Sequence, residues 1–432
     1  MIWNRVSERL FEEIPDESTV RKVVSLYVMA PVMCMYILWV LKEAMQSGKR
    51  KLYFLARDGY SMYQVAKVLC EQLGLPIECK YLYGSRYAWR SAEYHLLGEE
   101  SLNFICLGGI DVTLQKVMRR AGLTEEEGLQ IAELIEKKDE YHKVLSYQQV
   151  RGLQPILAAC EPFMELVKSR SEVNYPLVCG YLKQEGLTEG DWALVDSGWT
   201  GSMQKSLGHI LKSMGYHKPL EGYYFGMYEY PQGIDTRDYH VWYFRPGSGI
   251  RRKVYFSNSL FECIFSSPEG MTQGYRQTKE GYEPVLEHTK NTNWEKIEKS
   301  TEYLKQYTRG LASALGKELP DRGKKDVKTA YQLLRLFMGK PTREESIEYG
   351  GYGFCDDVIG EEKQKVAAPL SYQEIKDNRF LYKAINFLMK KGKVVHESAW
   401  LEGSVMLCPQ AGAKELWHGA VYKYILYVRK LF

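Results

Sequence analysis

The apolar positions of this chain alternate between two spacings. Lys51–Ala56 (KLYFLA) is a continuous apolar run of strand length, and Tyr60–Leu73 then places Met62, Val65, Ala66 and Leu69 at helical intervals. Gly74 ends that helix, Pro76 follows, and Ile77–Tyr83 reads as the next strand. The same order returns at Trp192–Val195, a buried strand tipped by Asp196, followed by a small-residue turn and a helix marked by Met203, Leu207, Ile210 and Leu211. Leu220–Met227 reads as a further strand. Strands separated by helices predict an α/β fold with a mostly parallel, Rossmann-like sheet flanked by helices.

The pattern is helical and charged from about 98 to 175, which predicts a helical insertion between two halves of the sheet. Residues 235–256 read as strands or loops, and Leu260, Phe261, Ile264 and Phe265 mark a helix enclosing Glu262, with a turn at Ser266–Gly270. Beyond about 290 the chain is helical and Lys-rich, with an exposed connection at 317–328. The expected organisation is an α/β catalytic core over 1–290 and a helical C-terminal region over 291–432. Val23–Leu41 carries no charge and is long enough to span a membrane. Pro31, Ser25, Tyr27 and Tyr36, and a strand nine residues further on, favour a buried core helix, with Pro31 at its start or at a kink.

Composition narrows the function. Of 432 residues, 45% are apolar and 26% charged, ordinary for a globular chain, and a net charge of +4 gives no argument for nucleic-acid binding. The 33 tyrosines suit carbohydrate contact and equally a plain core. Nine cysteines without a C-x-x-C pair suit reduced thiols in the cytoplasm, and the opening MIWNRVSERLFEEI lacks a signal-peptide pattern. The tail is basic (Lys390, Lys391, Lys393, Lys423, Arg429) and aromatic (Trp400, Trp417, Tyr422, Tyr424, Tyr427). Such a tail suits peripheral contact with the inner face of the cell membrane, although a solvated helix face is the commoner use.

The candidate chemistry sits at strand tips: Arg57-Asp58-Gly59, Ser85-Arg86, and Asp196-Ser197-Gly198-Trp199-Thr200-Gly201-Ser202. A helix that begins after Gly and hydroxyl residues offers free N–H groups and a positive dipole end to a phosphate. An acid at the strand tip can hold a metal or a sugar hydroxyl beside it. Neither Asp196 nor Asp58 is followed by the second Asp that an aspartyl-phosphate phosphatase of the haloacid dehalogenase type needs. Walker, dinucleotide, zinc-protease and nucleophile-elbow motifs are absent.

Taken together, FLARDGY (54–60), Gly84-Ser85-Arg86, LVDSGWTGSMQ (194–204) and LFECIFSSPEG (260–270) resemble the glycan phosphoribosyltransferase (ribofuranosyltransferase) domain of bacterial polysaccharide clusters, and more distantly type I phosphoribosyltransferases. The resemblance covers roughly residues 20–280; Ser197 stands where a second acid is usual, and there is no room before residue 20 for the phosphatase often fused to that domain. It implies transfer of 5-phosphoribose from phosphoribosyl diphosphate to a hydroxyl of a glycan, lipid-linked or free, with Mg²⁺ and a separate protein to remove the 5-phosphate if it is removed. On that reading Asp58 and Asp196 hold Mg²⁺ or ribose hydroxyls, and Arg57 and Arg86 neutralise diphosphate. Gly59, Ser85, Ser197, Gly198, Trp199, Thr200, Gly201, Ser202 and Gln204 contribute to the substrate site, and Glu262 is the base. The structural rivals are an Arg57–Asp58 ion pair, an ion pair of Arg86 with Glu78 or Glu93, and a merely core-paired Glu262. The rival functions are a phosphosugar phosphatase of haloacid dehalogenase type and a non-catalytic, membrane-associated scaffold.

Overall fold

The apolar runs form strands covered on both faces. The computed structural model describes residues 2–15, 19–109, 112–316, 319, 323–354, 364–383 and 396–430. Strands β1 (Lys51–Leu55), β2 (Glu78–Leu82), β3 (Trp192–Trp199), β4 (Gly222–Met227) and β5 (Tyr239–Phe244) pair in the order β2-β1-β3-β4-β5, every pairing parallel. Leu52 and Phe54 of β1 enter one core and Tyr53 and Leu55 the other. A strand buried on both faces has no polar side, which is why these runs are continuously apolar.

On one face lie α1 (Ile2–Glu13), α2 (Thr19–Gln46) and α3 (Gly59–Leu73). Helix α2 contains a π-helical turn at Ser25–Met29, and Pro31 stands in the first turn of the α-helix that follows. Proline is tolerated there because the first N–H groups of a helix have no partner to lose. Among the described residues α2 is the one helix long and apolar enough to cross a membrane, and 78% of its most apolar window is buried inside the fold. Helix α3 ends as expected at Gly74, whose φ of 64° lets its N–H reach Cys70 O. The other face is covered by α4 (Arg86–Leu97), α5 (Glu161–Gln184) and α6 (Ser202–Ser213).

The insertion between α4 and α5 folds as short helices around a small core of its own, including Ile105, Met118, Ile131 and Leu153. Within 235–256 the chain makes β5 and then a short helix, α7 (Ile250–Val254), and Glu262 lies on α8 (Asn258–Phe265). One element was not legible. Residues after Gly270 form an antiparallel hairpin, β6 (Thr272–Thr278) and β7 (Gly281–Leu286), laid on α4 and α5. Its outer positions are polar and half-exposed, so no continuous apolar run announces it. Tyr275 anchors it, donating to Tyr83 O at 2.8 Å and accepting from Trp89 Nε1 at 2.8 Å.

Of the helices beyond 290, α9 (Trp294–Leu315) and α10 (Gly323–Phe337) join the first core, α9 packing on α3 and α1 and α10 on α2. Helix α11 (Ala413–Arg429) ends the chain against α7. Lys390, Lys391 and Lys393 lie outside the described residues.

One buried hydroxyl ties α2 to the strand ends. Tyr36 Oη donates to Tyr223 O at 2.9 Å and lies 3.1 Å from Asp196 O. A buried carbonyl stripped of its donor costs about 1–3 kcal/mol. Tyr36→Phe is therefore expected to lower unfolding free energy by about that amount in a denaturant titration, with an unchanged slope; wild-type stability would show that these carbonyls find other donors.

Candidate active site

The strand order positions the site. The chain leaves β1 toward β2 on one side, and the crossover to β3 lies on the other. The loops after β1 and β3 therefore part at the carboxyl edge, where open α/β sheets bind their ligands. A cavity of about 490 Å³ opens there. Arg57 and Asp58 reach it from the tip of β1, Ser85 and Arg86 from the loop after β2, Asp196–Ser202 from β3 and its turn, and Glu262 from α8.

The β3 turn depends on backbone geometry that only some residues allow. Gly198 has φ 104°, and a Cβ there would sit 2.5 Å from Gly226 O. Gly201 has φ 63°, and its Cβ would meet the Tyr239 ring at 2.7 Å. Trp199, which has a side chain, is nevertheless held at φ 64°. Its carbonyl accepts from Tyr228 N–H at 2.8 Å, and its ring is packed among Phe244, Phe256 and Phe261. The turn delivers Thr200, Gly201 and Ser202 to the cavity at the start of α6, so that the open N–H groups of that helix face it.

Three carboxyl groups share this space. Ser197 Oγ donates to Asp58 Oδ2 at 2.5 Å, which orients Asp58 across the gap between β1 and β3. Asp196 accepts from Gly198 N–H at 3.2 Å. Burial, then the nearby Asp58 charge, raises its pKa to about 7 against the opposing pull of these N–H bonds and of Arg86. Glu262 Oε1 accepts from Trp199 Nε1 at 2.5 Å. Burial and Asp58 raise its pKa to about 8, with Arg86, the indole N–H and Arg57 acting the other way. Asp196 and Glu262 lie deep in the cavity, each with an edge open to it.

Arg57 and Arg86 are exposed at the cavity, and among the described residues neither has a carboxylate within 4 Å. Glu78 is taken by Lys51 and Lys80, and Glu93 by Ser206 and His209. An arginine pair with no acid of its own leaves its donor forks available to an anion.

Other sequence-chosen residues have structural work. Ser85 caps α4 through Ala88 N–H and donates to Thr272 O at 2.6 Å, although it borders the cavity. Gly59 lets α3 approach β1, since a Cβ would lie 2.9 Å from Phe54 C. Gln204 does not reach the cavity, which corrects its placement in the substrate site. Its amide donates to Leu220 O at 2.5 Å and its carbonyl accepts from Tyr224. The first turn of a helix presents successive residues to different sides, and this one faces the sheet. Sequence reasoning missed Tyr228, Asn258, Tyr427 and Lys430, which also line the cavity. The aromatic, basic tail was the available signal for the last two.

A carboxyl with a raised native pKa binds its proton more tightly folded than unfolded. Stability is then greatest below the ordinary carboxylate range and is lost as pH rises toward the native value. Wild-type Tm is expected to fall between pH 5 and 8. Asp196→Asn and Glu262→Gln should each flatten that fall and raise Tm at pH 8 by about 2 °C or more, by calorimetry; lower Tm in both at pH 8 would show that the carboxylates stabilise the fold. No family model matches this chain, and neither does any curated protein.

Proposed function

We propose that this protein transfers 5-phosphoribose from phosphoribosyl diphosphate to a hydroxyl of a glycan acceptor in surface polysaccharide assembly. The observation that carries the reading is the composition of one cavity: free Arg57 and Arg86, the open N-terminus of α6, and the carboxyls Asp58, Asp196 and Glu262. A phosphoribosyl diphosphate has an anion at each end of a polyhydroxyl ring. It calls for two separate anion cradles together with acids for the hydroxyls. In this reading Thr200, Gly201 and Ser202 hold the 5-phosphate at the α6 N-terminus, and Arg57 and Arg86 hold the diphosphate.

The bond from C1 to the diphosphate oxygen breaks with its electron pair going to diphosphate. The acceptor oxygen bonds C1, and its proton passes to the ionised Glu262 carboxylate. The arginines favour the step because negative charge accumulates on the leaving group. Mg²⁺ fits the donor chemistry of Asp58 and Asp196. Among the described residues no three His, Cys, Asp or Glu side chains gather as a metal cluster. Mg²⁺ commonly sits on one or two carboxylates plus substrate phosphates, so it would arrive with the diphosphate. Bound there it would neutralise charge on the leaving group. The product of this step keeps its 5-phosphate.

Calorimetric titration with phosphoribosyl diphosphate is expected to show Mg²⁺-dependent binding. The binding should weaken at least tenfold in Arg57→Ala and Arg86→Ala, and Asp196→Asn should abolish turnover. Turnover should rise with pH to a plateau above about 8, where Glu262 is ionised, and Glu262→Gln should lose that rise. No binding by folded wild-type protein would overturn the donor assignment.

A further inference from the structure

A second, larger cavity lies on the far side of α7 and the end of α11. It holds about 1180 Å³ and runs between the β5 edge, α7 and the start of α10. Its walls are of two kinds. Trp39, Val241, Trp242 and Tyr331 give it an apolar floor. Arg245, Arg251, Arg252, Lys324 and Lys328 border it with cations, and Glu43 is the one acid among its lining residues.

The cations lack counter-charges. Arg237 is taken by Asp235 and His240 by Glu221, but among the described residues no carboxylate pairs with the five cations just named. Arg252 is half-buried and its Nε has no hydrogen-bond partner. Its neighbours are the Tyr243 ring, 5.8 Å from the guanidinium carbon, and the like charge of Arg245. Arg245, Arg251, Lys324 and Lys328 are exposed to solvent and Arg252 is half-buried, so an anion that enters meets several cations without displacing an acid.

We infer that this groove binds an amphiphilic anion, an apolar chain ending in a phosphate or diphosphate, with the chain on the aromatic floor and the head on Arg245, Arg251 and Arg252. A small polar anion would leave the floor uncovered, and an uncharged lipid would leave the cations unpaired. The groove also adjoins the active-site cavity. Tyr424 of α11 borders the groove, whereas Tyr427, one turn on and about 4.5 Å along the axis, borders the active site. Binding is independent of the reaction; the further step, that this ligand is the anchor of the glycan acceptor, rests on the proposed transfer.

The test is titration of the full chain with farnesyl diphosphate, with farnesol and with vesicles of anionic phospholipid. Saturable binding of farnesyl diphosphate is expected, with none of farnesol. It should weaken at least tenfold in the doubly substituted Arg245→Ala/Arg251→Ala protein and stay unchanged in Asp196→Asn. Loss of binding in Asp196→Asn alone would place the anion in the active-site cavity and overturn the inference while leaving the transfer reading intact. No binding by wild type, or binding to vesicles without saturable binding of the diphosphate, would also overturn it.

Discussion

The structure turns on the crowding of Asp58, Asp196 and Glu262 at the parting of β1 and β3. Like charges in a poorly hydrated space oppose folding, so each carboxyl must be held by something that the rest of the chain supplies. Ser197 holds Asp58, the Gly198 N–H holds Asp196, and the Trp199 indole holds Glu262. All three holders are consecutive residues at the end of β3. Alternation along the strand cannot bring three successive residues to one site. The positive φ of Gly198 and Trp199 does so by breaking the alternation.

That break is supported from a distance. The Trp199 ring is clamped by Phe244 of β5, Phe261 of α8 and Phe256 between α7 and α8. Phe261 neighbours Glu262 in sequence, so one short helix supplies both a wall of the clamp and the acid that the indole bonds. From the other side, α2 reaches the Asp196 carbonyl through Tyr36. The long apolar helix that resembles a membrane span thus serves as the floor under the strand tips.

This division explains what could be read from sequence. The parallel strands and their helices were legible because burial on both faces forces uninterrupted apolar runs, and Asp58, Asp196 and Glu262 stood out as acids interrupting them. The convergence of Arg57, Arg86, Asp58 and Asp196 followed from parallel topology, which puts every strand tip on one edge. The hairpin Thr272–Leu286 was hidden because its partners are the side chains of Trp89, Tyr181 and Gln184, far away in sequence. Gln204 was misjudged because its place in the first turn of α6 is visible in sequence, but its direction is set by Leu220 and Tyr224. The aromatic, basic tail was a signal for Tyr427 and Lys430 but not for their place, because only tertiary packing brings the last helix to the cavity.

That last helix gives the molecule two connected surfaces. Tyr427 stacks on Tyr228 at the mouth of the active-site cavity, and Lys253 of α7 lies over the Tyr427 ring at 6.0 Å. Arg252, the residue before Lys253, turns to the second cavity instead. Lys253 is buried in the wall itself, where its Nζ donates to Arg245 O at 2.9 Å. Burial and the neighbouring cations Lys430 and Arg252 lower the pKa of Lys253. The wall between the two cavities is thus made of two packed helix ends, α7 and α11, rather than of a loop.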